Sequence, residues 1–259
     1  MSNLVEARRV DVFGVQVSVT DYEDATKRIL DAGKSKRSYG MSALATHGLM
    51  EATHDASFME VVNGLDLVTP DGQPVRWAMN LLHKTRLGDR VYGPDLTWKV
   101  CGAAADAGVG IYLFGSTPET CEAFVQAILK EWPHAIISDV QPDRFRDATP
   151  DEDAADIKRM NDSGAGVVLV GRGCPRQERW ISDHQGKVNA AMMAVGAAFD
   201  YHAGQLRKPP ALAQRLGLEW AWRLMLEPRR LARRYAVTNS QYVLALSQAL
   251  MTRKRSGQT

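Results

Sequence analysis

Residues 110–119, GIYLFGSTPE, carry the clearest sign of how this 259-residue chain folds. The run from 110 to 114 is apolar without the polar alternation of a half-exposed strand, which indicates a strand buried on both faces. After Gly115, either Ser116 or Thr117 can cap a helix whose first residue is Pro118. We therefore predict a buried strand that leads directly into a helix over residues 120–132.

Further apolar runs alternate with helical patterns in the same way. They lie at residues 135–140, 167–170 and 190–195, with helices expected from 150 and from 176. In the N-terminal third, the patterns predict a hairpin around Gly14, a helix over 22–32, a strand over 39–46 and one helix through residue 60. The alternation predicts an α/β fold, a Rossmann-like parallel sheet flanked by helices. Ligands of such sheets bind beyond the carboxyl ends of the strands.

The C-terminal segment differs from the rest of the chain in charge. Residues 204–259 hold eleven Lys and Arg residues and two acids, whereas residues 1–203 hold 21 basic and 28 acidic residues. Helices are expected over 211–227 and from Pro228, with arginines interleaved among aromatic and leucine side chains. This pattern is typical of a basic amphipathic element that lies on anionic lipid. We predict an α/β domain over 1–206 and a helical membrane-docking appendage over 207–259.

Composition and missing motifs exclude several classes of protein. The chain is 45% hydrophobic and 24% charged, as soluble globular proteins are, and its three cysteines show no CxxC spacing. These features favour reduced thiols in a cytoplasm. No apolar run has the ~18–20 residues of a membrane-spanning helix, and the first residues do not resemble a secretory signal. GxGxxG, P-loop, GxSxG, helix-turn-helix and RNP patterns are also missing, so nucleic acid is not an expected partner.

Three loops contain candidate site residues, and each also has an ordinary structural explanation. The helix start at Gly115 and Ser116 can bind an anion such as a nucleotide diphosphate, or it can be a simple cap. Asp71, followed by Gly72, ends a strand-like run and can act as a general base or form an Asx turn.

The third loop, residues 171–178, joins two glycines to a helix start. Gly171 and Gly173 permit close approach of a ligand to the backbone, and Gln177 can both donate and accept hydrogen bonds. A solvated helix start is the alternative. The acidic residues 151–153 fit a capped helix N-terminus better than a metal site. The histidines show no metal-ligand spacing, although His47 and His202 lie near the proposed loops.

Taken in order, these motifs resemble the WecG/TagA/CpsF family of bacterial glycosyltransferases, glycosyltransferase family 26. The resemblance spans nearly the whole chain. The matching segments are residues 65–72 (LDLVTPDG), 113–115 (LFG), 170–181 (VGRGCPRQERWI), 195–204 (VGAAFDYHAG), 216–224 (LGLEWAWRL) and 227–235 (EPRRLARRY).

The resemblance implies an inverting transferase that moves a sugar from a UDP-sugar to a polyprenyl-diphosphate-linked saccharide. Such enzymes act in exopolysaccharide, capsule or related surface-glycan synthesis at the inner face of the plasma membrane. The resemblance implies neither a metal nor a cofactor. It also implies that Asp71 is the general base. Arginines of the appendage would then neutralise the departing diphosphate. Catalytic roles are expected for Asp71, Arg223, Arg230 and Arg233, and substrate contacts for Thr46, His47, Gly72, Gly115, Ser116, Gly171, Gly173, Gln177, Glu178 and Asp200.

The chain departs from the family pattern at one place. The family usually has Thr-x-Asn after an early strand, whereas this chain has Ala45-Thr46-His47. His47 is therefore expected to contact the sugar or to influence Asp71, and the donor sugar is left open. The sequence leaves homo-oligomer formation open too. A non-catalytic membrane scaffold and a nucleotide-dependent oxidoreductase are the alternative functions.

Overall fold

The computed structural model describes residues 7–207, 209–210, 213, 217–226 and 228–256. Of this part, the side chains of Arg223, Arg230, Arg234 and residues 254–256 are not described.

The centre of the fold is a six-stranded sheet in which every pair of neighbouring strands is parallel. The strand order is β4-β3-β8-β7-β5-β6, and a separate antiparallel hairpin is formed by β1 and β2. This arrangement confirms the predicted α/β fold. The strands are β1 (Arg9–Val12), β2 (Val15–Ser18), β3 (Tyr39–Leu44), β4 (Leu67–Pro70), β5 (Ile111–Gly115), β6 (Ile137–Gln141), β7 (Val167–Gly171) and β8 (Ala191–Ala194).

Helices cover both faces of the sheet, so each face has its own hydrophobic core. Tyr112 and Val168 belong to one core, and Leu113 and Leu169 belong to the other. Strands buried on both sides explain the continuous apolar runs. The helices of this body are α1 (Tyr22–Lys34), α2 (Thr46–His54), α3 (Ala56–Gly64), α4 (Gln73–His83), α5 (Gly93–Asp106), α6 (Pro118–Glu131), α7 (Pro150–Asp162), α8 (Arg176–His184) and α9 (Gly196–His202).

The structure corrects the prediction for residues 39–60. The strand ends at Leu44, and the expected single helix is two helices, α2 and α3. The break is at Asp55, whose side chain accepts a hydrogen bond from Phe58 N at 3.1 Å and so caps α3. An aspartate that can bond to nearby backbone competes with continuation of a helix, which is the reason for the break.

Two helices follow the body: α10 (Glu219–Leu226) and α11 (Pro228–Ser256). The predicted helix start at Pro228 is confirmed. Of the helix predicted over 211–227, the part from Glu219 is observed, while residues 211, 212, 214–216 and 227 lie outside the described part. Helix α11 packs on α2 and α4, and Tyr242 Oη donates a hydrogen bond to Pro74 O at 2.6 Å. Among the helices described, none has both the length and the apolar character needed to cross a bilayer. The division at residue 206 stays a prediction.

Candidate active site

A cleft of about 890 Å³ lies at the carboxyl edge of the sheet. The segments after β3, β4, β5, β7 and β8 all reach it, as expected for an open α/β sheet. Candidate residues that are far apart in sequence therefore come together. Those that line the cleft are Thr46, His47, Asp71, Gly72, Ser116, Gly171, Gly173, Gln177, Glu178 and Asp200.

Asp71 is held at the start of a helix. Its backbone N donates to Leu44 O at 3.2 Å, so the residue continues the end of β4. Its Oδ1 accepts a hydrogen bond from the backbone N of Gly93, the first residue of α5, at 2.5 Å. A helix N-terminus favours negative charge. A side chain at position 93 would crowd β3, because a Cβ on Gly93 would lie 3.0 Å from Ala43 Cβ.

The segment after β3 lies against the segment that carries Asp71. Thr46, the first residue of α2, has its Oγ1 3.3 Å from the position that a Cβ on Gly72 would take. His47 Nδ1 is 3.7 Å from Glu51 Oε1, one turn further along α2. His47 also lines a second cavity, of about 480 Å³, between α2 and α11. It thus borders two cavities, and one of them is the cleft that contains Asp71.

Of the three arginines expected from the appendage, the structure describes the side chain of Arg233. Arg233 lines the second cavity rather than the cleft. Arg223 and Arg230 belong to α10 and α11, but their side chains lie outside the described part. Their catalytic roles stay predictions.

Among the residues described, Arg90 is the only lysine or arginine that lines the cleft. Sequence reasoning missed it. It is buried, its guanidinium carbon lies 4.3 Å from the centre of the Tyr92 ring, and both of its terminal nitrogens bond to the Glu219 carboxylate. Burial acts to lower the pKa of Arg90, but the hydrogen bonds and charge of Glu219 outweigh it and raise the pKa. The only local signal was a single arginine in the turn-rich segment from Gly88 to Pro94.

The helix start after β5 is built as predicted. Thr117 caps α6, with its Oγ1 3.3 Å from Thr120 N, and Ser116 and Thr117 both line the cleft. Gly115 has φ +119°, and a Cβ there would lie 2.6 Å from the Gly171 backbone. Gly115 therefore acts by letting β5 and β7 approach closely, and the cleft lining comes from its neighbours.

Gln177 and Glu178 form a buried hydrogen-bonded group at the floor of the cleft. Gln177 Oε1 accepts from the backbone N of Gly173 and of Gly196, both at 3.1 Å. Its Nε2 donates to Glu178 Oε1 at 3.0 Å, and Ser42 Oγ donates to the same oxygen at 3.1 Å. Burial raises the pKa of Glu178. In this structure Gln177 holds two cleft loops together, and its contact with substrate stays a prediction.

An exposed aromatic residue lies at the rim of the cleft. Phe145 is 63% exposed and has φ +54°, a conformation that is unusual for a bulky side chain. Its backbone N donates to Asp143 Oδ1 at 3.1 Å. Asp143 is in turn paired with Arg172 at 3.2 Å and Arg176 at 3.3 Å. These contacts hold the loop that places Phe145 at the cleft.

Two other sequence interpretations are settled by the structure. Thr149 and Glu152 form a reciprocal capping box at the start of α7, which confirms the capping role of the acidic segment 151–153. His202 Nε2 lies 2.8 Å from Pro94 O, and its ring stacks on Trp98 with the centroids 4.6 Å apart. His202 is therefore part of the packing between α5 and α9.

The sequence model described as "Glycosyl transferase WecG/TagA/CpsF family" matches residues 10–256 of the chain. The match extends from the first hairpin to the end of α11, so it includes every segment that lines the cleft.

Proposed function

We propose, since the chain belongs to the WecG/TagA/CpsF family of glycosyl transferases, that it moves a sugar from a UDP-sugar to a hydroxyl of a polyprenyl-diphosphate-linked saccharide. The transfer inverts the anomeric centre, needs no metal, and serves exopolysaccharide, capsule or related surface-glycan synthesis at the inner face of the plasma membrane. Family membership favours this function over an oxidoreductase or a non-catalytic scaffold.

The observation that carries the proposal is the Asp71 carboxylate, held in the cleft by Gly93 N–H. In the proposed step, Asp71 takes the proton of the acceptor hydroxyl while the oxygen bonds to the anomeric carbon. The bond from that carbon to the β-phosphate oxygen breaks on the opposite face, and its electron pair leaves with UDP. One carboxylate is sufficient because no covalent sugar-enzyme intermediate is formed.

The departing diphosphate needs positive charge, and the cleft offers several sources. Helices α2 and α4 begin at its wall, after the N-cap residues Ala45 and Gly72, neither of which has a capping side-chain group. The backbone N–H groups of a helix start are suited to binding phosphate oxygens. Arg90 also lines the cleft, but its charge is already compensated by the Glu219 carboxylate. In our proposal, Arg223, Arg230 and Arg233 join them when the appendage is docked on the membrane.

The charge and exposure of the C-terminal helices support membrane docking. Met225, Leu244 and Met251 are largely exposed, as are Arg229 and Arg233. Apolar side chains beside arginines favour an anionic lipid surface. Deletion of residues 207–259 should abolish sedimentation with vesicles that contain anionic lipid. Sedimentation of the truncated protein with those vesicles would refute docking through the appendage.

The proposed reaction is tested by product mass. A panel of UDP-sugars is incubated with a short-chain lipid-diphosphate acceptor, in the presence and absence of EDTA. Asp71→Asn keeps the size of the side chain and an acceptor for Gly93 N–H, so it should fold normally and lower kcat by about 10²–10⁴-fold. Asp106→Asn, at the other end of α5, is the control and should retain activity. Full activity of Asp71→Asn would contradict the role of base, and loss of activity in EDTA would contradict metal independence.

A further inference from the structure

The cleft is lined by polar and by large apolar side chains. Asp71, Ser116 and Gln177 are polar or charged groups at the sheet edge. Helices α4 and α11, together with the start of α10 and the residue before it, contribute large apolar side chains that we define as the apolar wall: Trp77, Leu218, Trp220, Tyr242 and Val243. An apolar wall beside a polar reaction centre suits a ligand that has one part of each kind.

The apolar wall is held together by contacts between the body and the appendage. Gly217 approaches the Trp77 ring so closely that a Cβ on Gly217 would lie 2.7 Å from it. Tyr242 Oη donates to Pro74 O, and the Trp220 ring lies 6.0 Å from the Tyr235 ring. These contacts join α4, α10 and α11 into one surface, so the wall exists before any ligand binds.

Much of this apolar surface is open to solvent. Trp77 is 37% exposed and Val243 is 60% exposed, although both line a concave cleft. Contiguous exposed apolar surface in a monomer usually marks a binding site. The diphosphate and sugar of a donor nucleotide are polar and suit the polar groups at the sheet edge, such as Asp71, Ser116 and Gln177. Within our proposed function, the molecule with a long apolar part is the lipid-linked acceptor.

We propose that the apolar wall binds the first isoprene units of the acceptor's prenyl chain, next to its diphosphate. This inference rests on the proposed function, because it assigns a subsite to that acceptor. It differs from general membrane contact: the wall is concave and continuous with the reaction centre, whereas Leu244 and Met251 are exposed on α11 without lining the cleft.

Neighbouring residues provide matched controls. Val243 and Leu244 are adjacent on α11 and are 60% and 63% exposed, yet only Val243 lines the cleft. Trp77 and Leu81 lie one turn apart on α4, and only Trp77 lines the cleft. A substitution that acts on the membrane contact alone should affect both members of a pair, whereas one that acts on the prenyl subsite should affect only the cleft residue.

The first experiment measures binding without turnover. Farnesyl diphosphate is titrated into the full-length protein and into Val243→Asp and Leu244→Asp, with tryptophan fluorescence as the signal. We expect saturable binding to the wild type, about tenfold weaker binding to Val243→Asp because a charge replaces an apolar contact with the prenyl chain, and wild-type binding to Leu244→Asp. No binding to the wild type, or equal weakening in both variants, would overturn the proposal.

The second experiment measures kcat/KM for acceptors that carry the same saccharide on prenyl chains of increasing length. The kcat/KM of the wild type should rise with the length of the prenyl chain. Trp77→Ala should lose most of that rise, whereas Leu81→Ala should keep it. Equal gains in Trp77→Ala and the wild type would overturn the proposal. If farnesyl diphosphate binds but no acceptor is turned over, the proposed function fails and the prenyl subsite stands.

Discussion

Arg90 and Glu219 lie 129 residues apart in sequence, and their side chains form a two-pronged ion pair at the cleft. Arg90 comes from the turn before α5, and Glu219 is the first residue of α10. The pair therefore connects the α/β body to the first described helix of the C-terminal segment. Because Arg90 is buried, its charge depends on Glu219 for compensation.

Glu219→Ala should lower the free energy of unfolding by about 3 kcal/mol, because it leaves the buried guanidinium without its carboxylate. Denaturant unfolding measures this effect, and hydrogen exchange over residues 219–226 shows whether α10 detaches first. Glu60→Ala replaces an exposed glutamate of α3 and should change stability by no more than about 0.5 kcal/mol. If both variants have wild-type stability and exchange, the ion pair does not hold α10.

Gly115→Ala should destabilise the protein by about 3 kcal/mol or more. The new methyl group would lie 2.6 Å from the Gly171 backbone, and alanine does not tolerate φ +119°. Gly108→Ala is the matched control: Gly108 has φ +62° and nothing within 4 Å of the added Cβ, so a cost of about 1 kcal/mol is expected. Equal thermal midpoints for the two variants would show that the approach of β5 to β7 is less tight than described.

Glu178→Gln should raise the melting temperature at neutral pH more than at acidic pH. Burial raises the pKa of Glu178 above its ordinary value of 4.5, so the unfolded chain loses this proton first as the pH rises. Ionisation of Glu178 therefore lowers the stability of the folded wild type above pH 4.5. A glutamine at this position cannot titrate, so the variant avoids that loss of stability. Melting temperatures of both proteins across the acidic to neutral range provide the comparison.

Glu152→Gln is the control for that prediction, with the opposite sign. The hydrogen bond from Arg146 lowers the pKa of Glu152 from 4.5 to about 2. Its ionised form therefore stabilises the folded protein above pH 4.5, and this contribution is lost as the pH falls toward 2. The variant should melt below wild type at neutral pH, and the deficit should disappear in acid. Parallel pH profiles for Glu178→Gln and Glu152→Gln would contradict both assignments.

Phe145→Ala should weaken binding of UDP by about 5- to 150-fold, the equivalent of about 1–3 kcal/mol for stacking of a base on an aromatic ring. The prediction follows from the exposed ring at the cleft rim, beside the start of α6. Calorimetric titration with UDP measures the effect, and Phe145→Trp should retain binding because it keeps a flat aromatic face. Unchanged affinity in the alanine variant would place the base elsewhere in the cleft.

Local patterns in the sequence were sufficient for the layered α/β fold. Strands buried on both faces must be continuously apolar, and helix starts must satisfy their free N–H groups, so runs such as 110–114 and caps such as Thr117 are readable without coordinates. The same reasoning located Asp71 at a strand end. It failed at Asp55, where one side-chain cap divides a segment that looks like a single helix.

The remaining features of the site arise from residues that are distant in the chain. The partnership of Arg90 with Glu219, the Gly93 N–H that holds Asp71, and the apolar wall built from α4, α10 and α11 have no local sequence period. Folding brings these groups together through the order of the strands and the packing of helices on them. Periodicity reports which face of an element is buried, but only the tertiary structure shows what each buried or exposed side chain meets there.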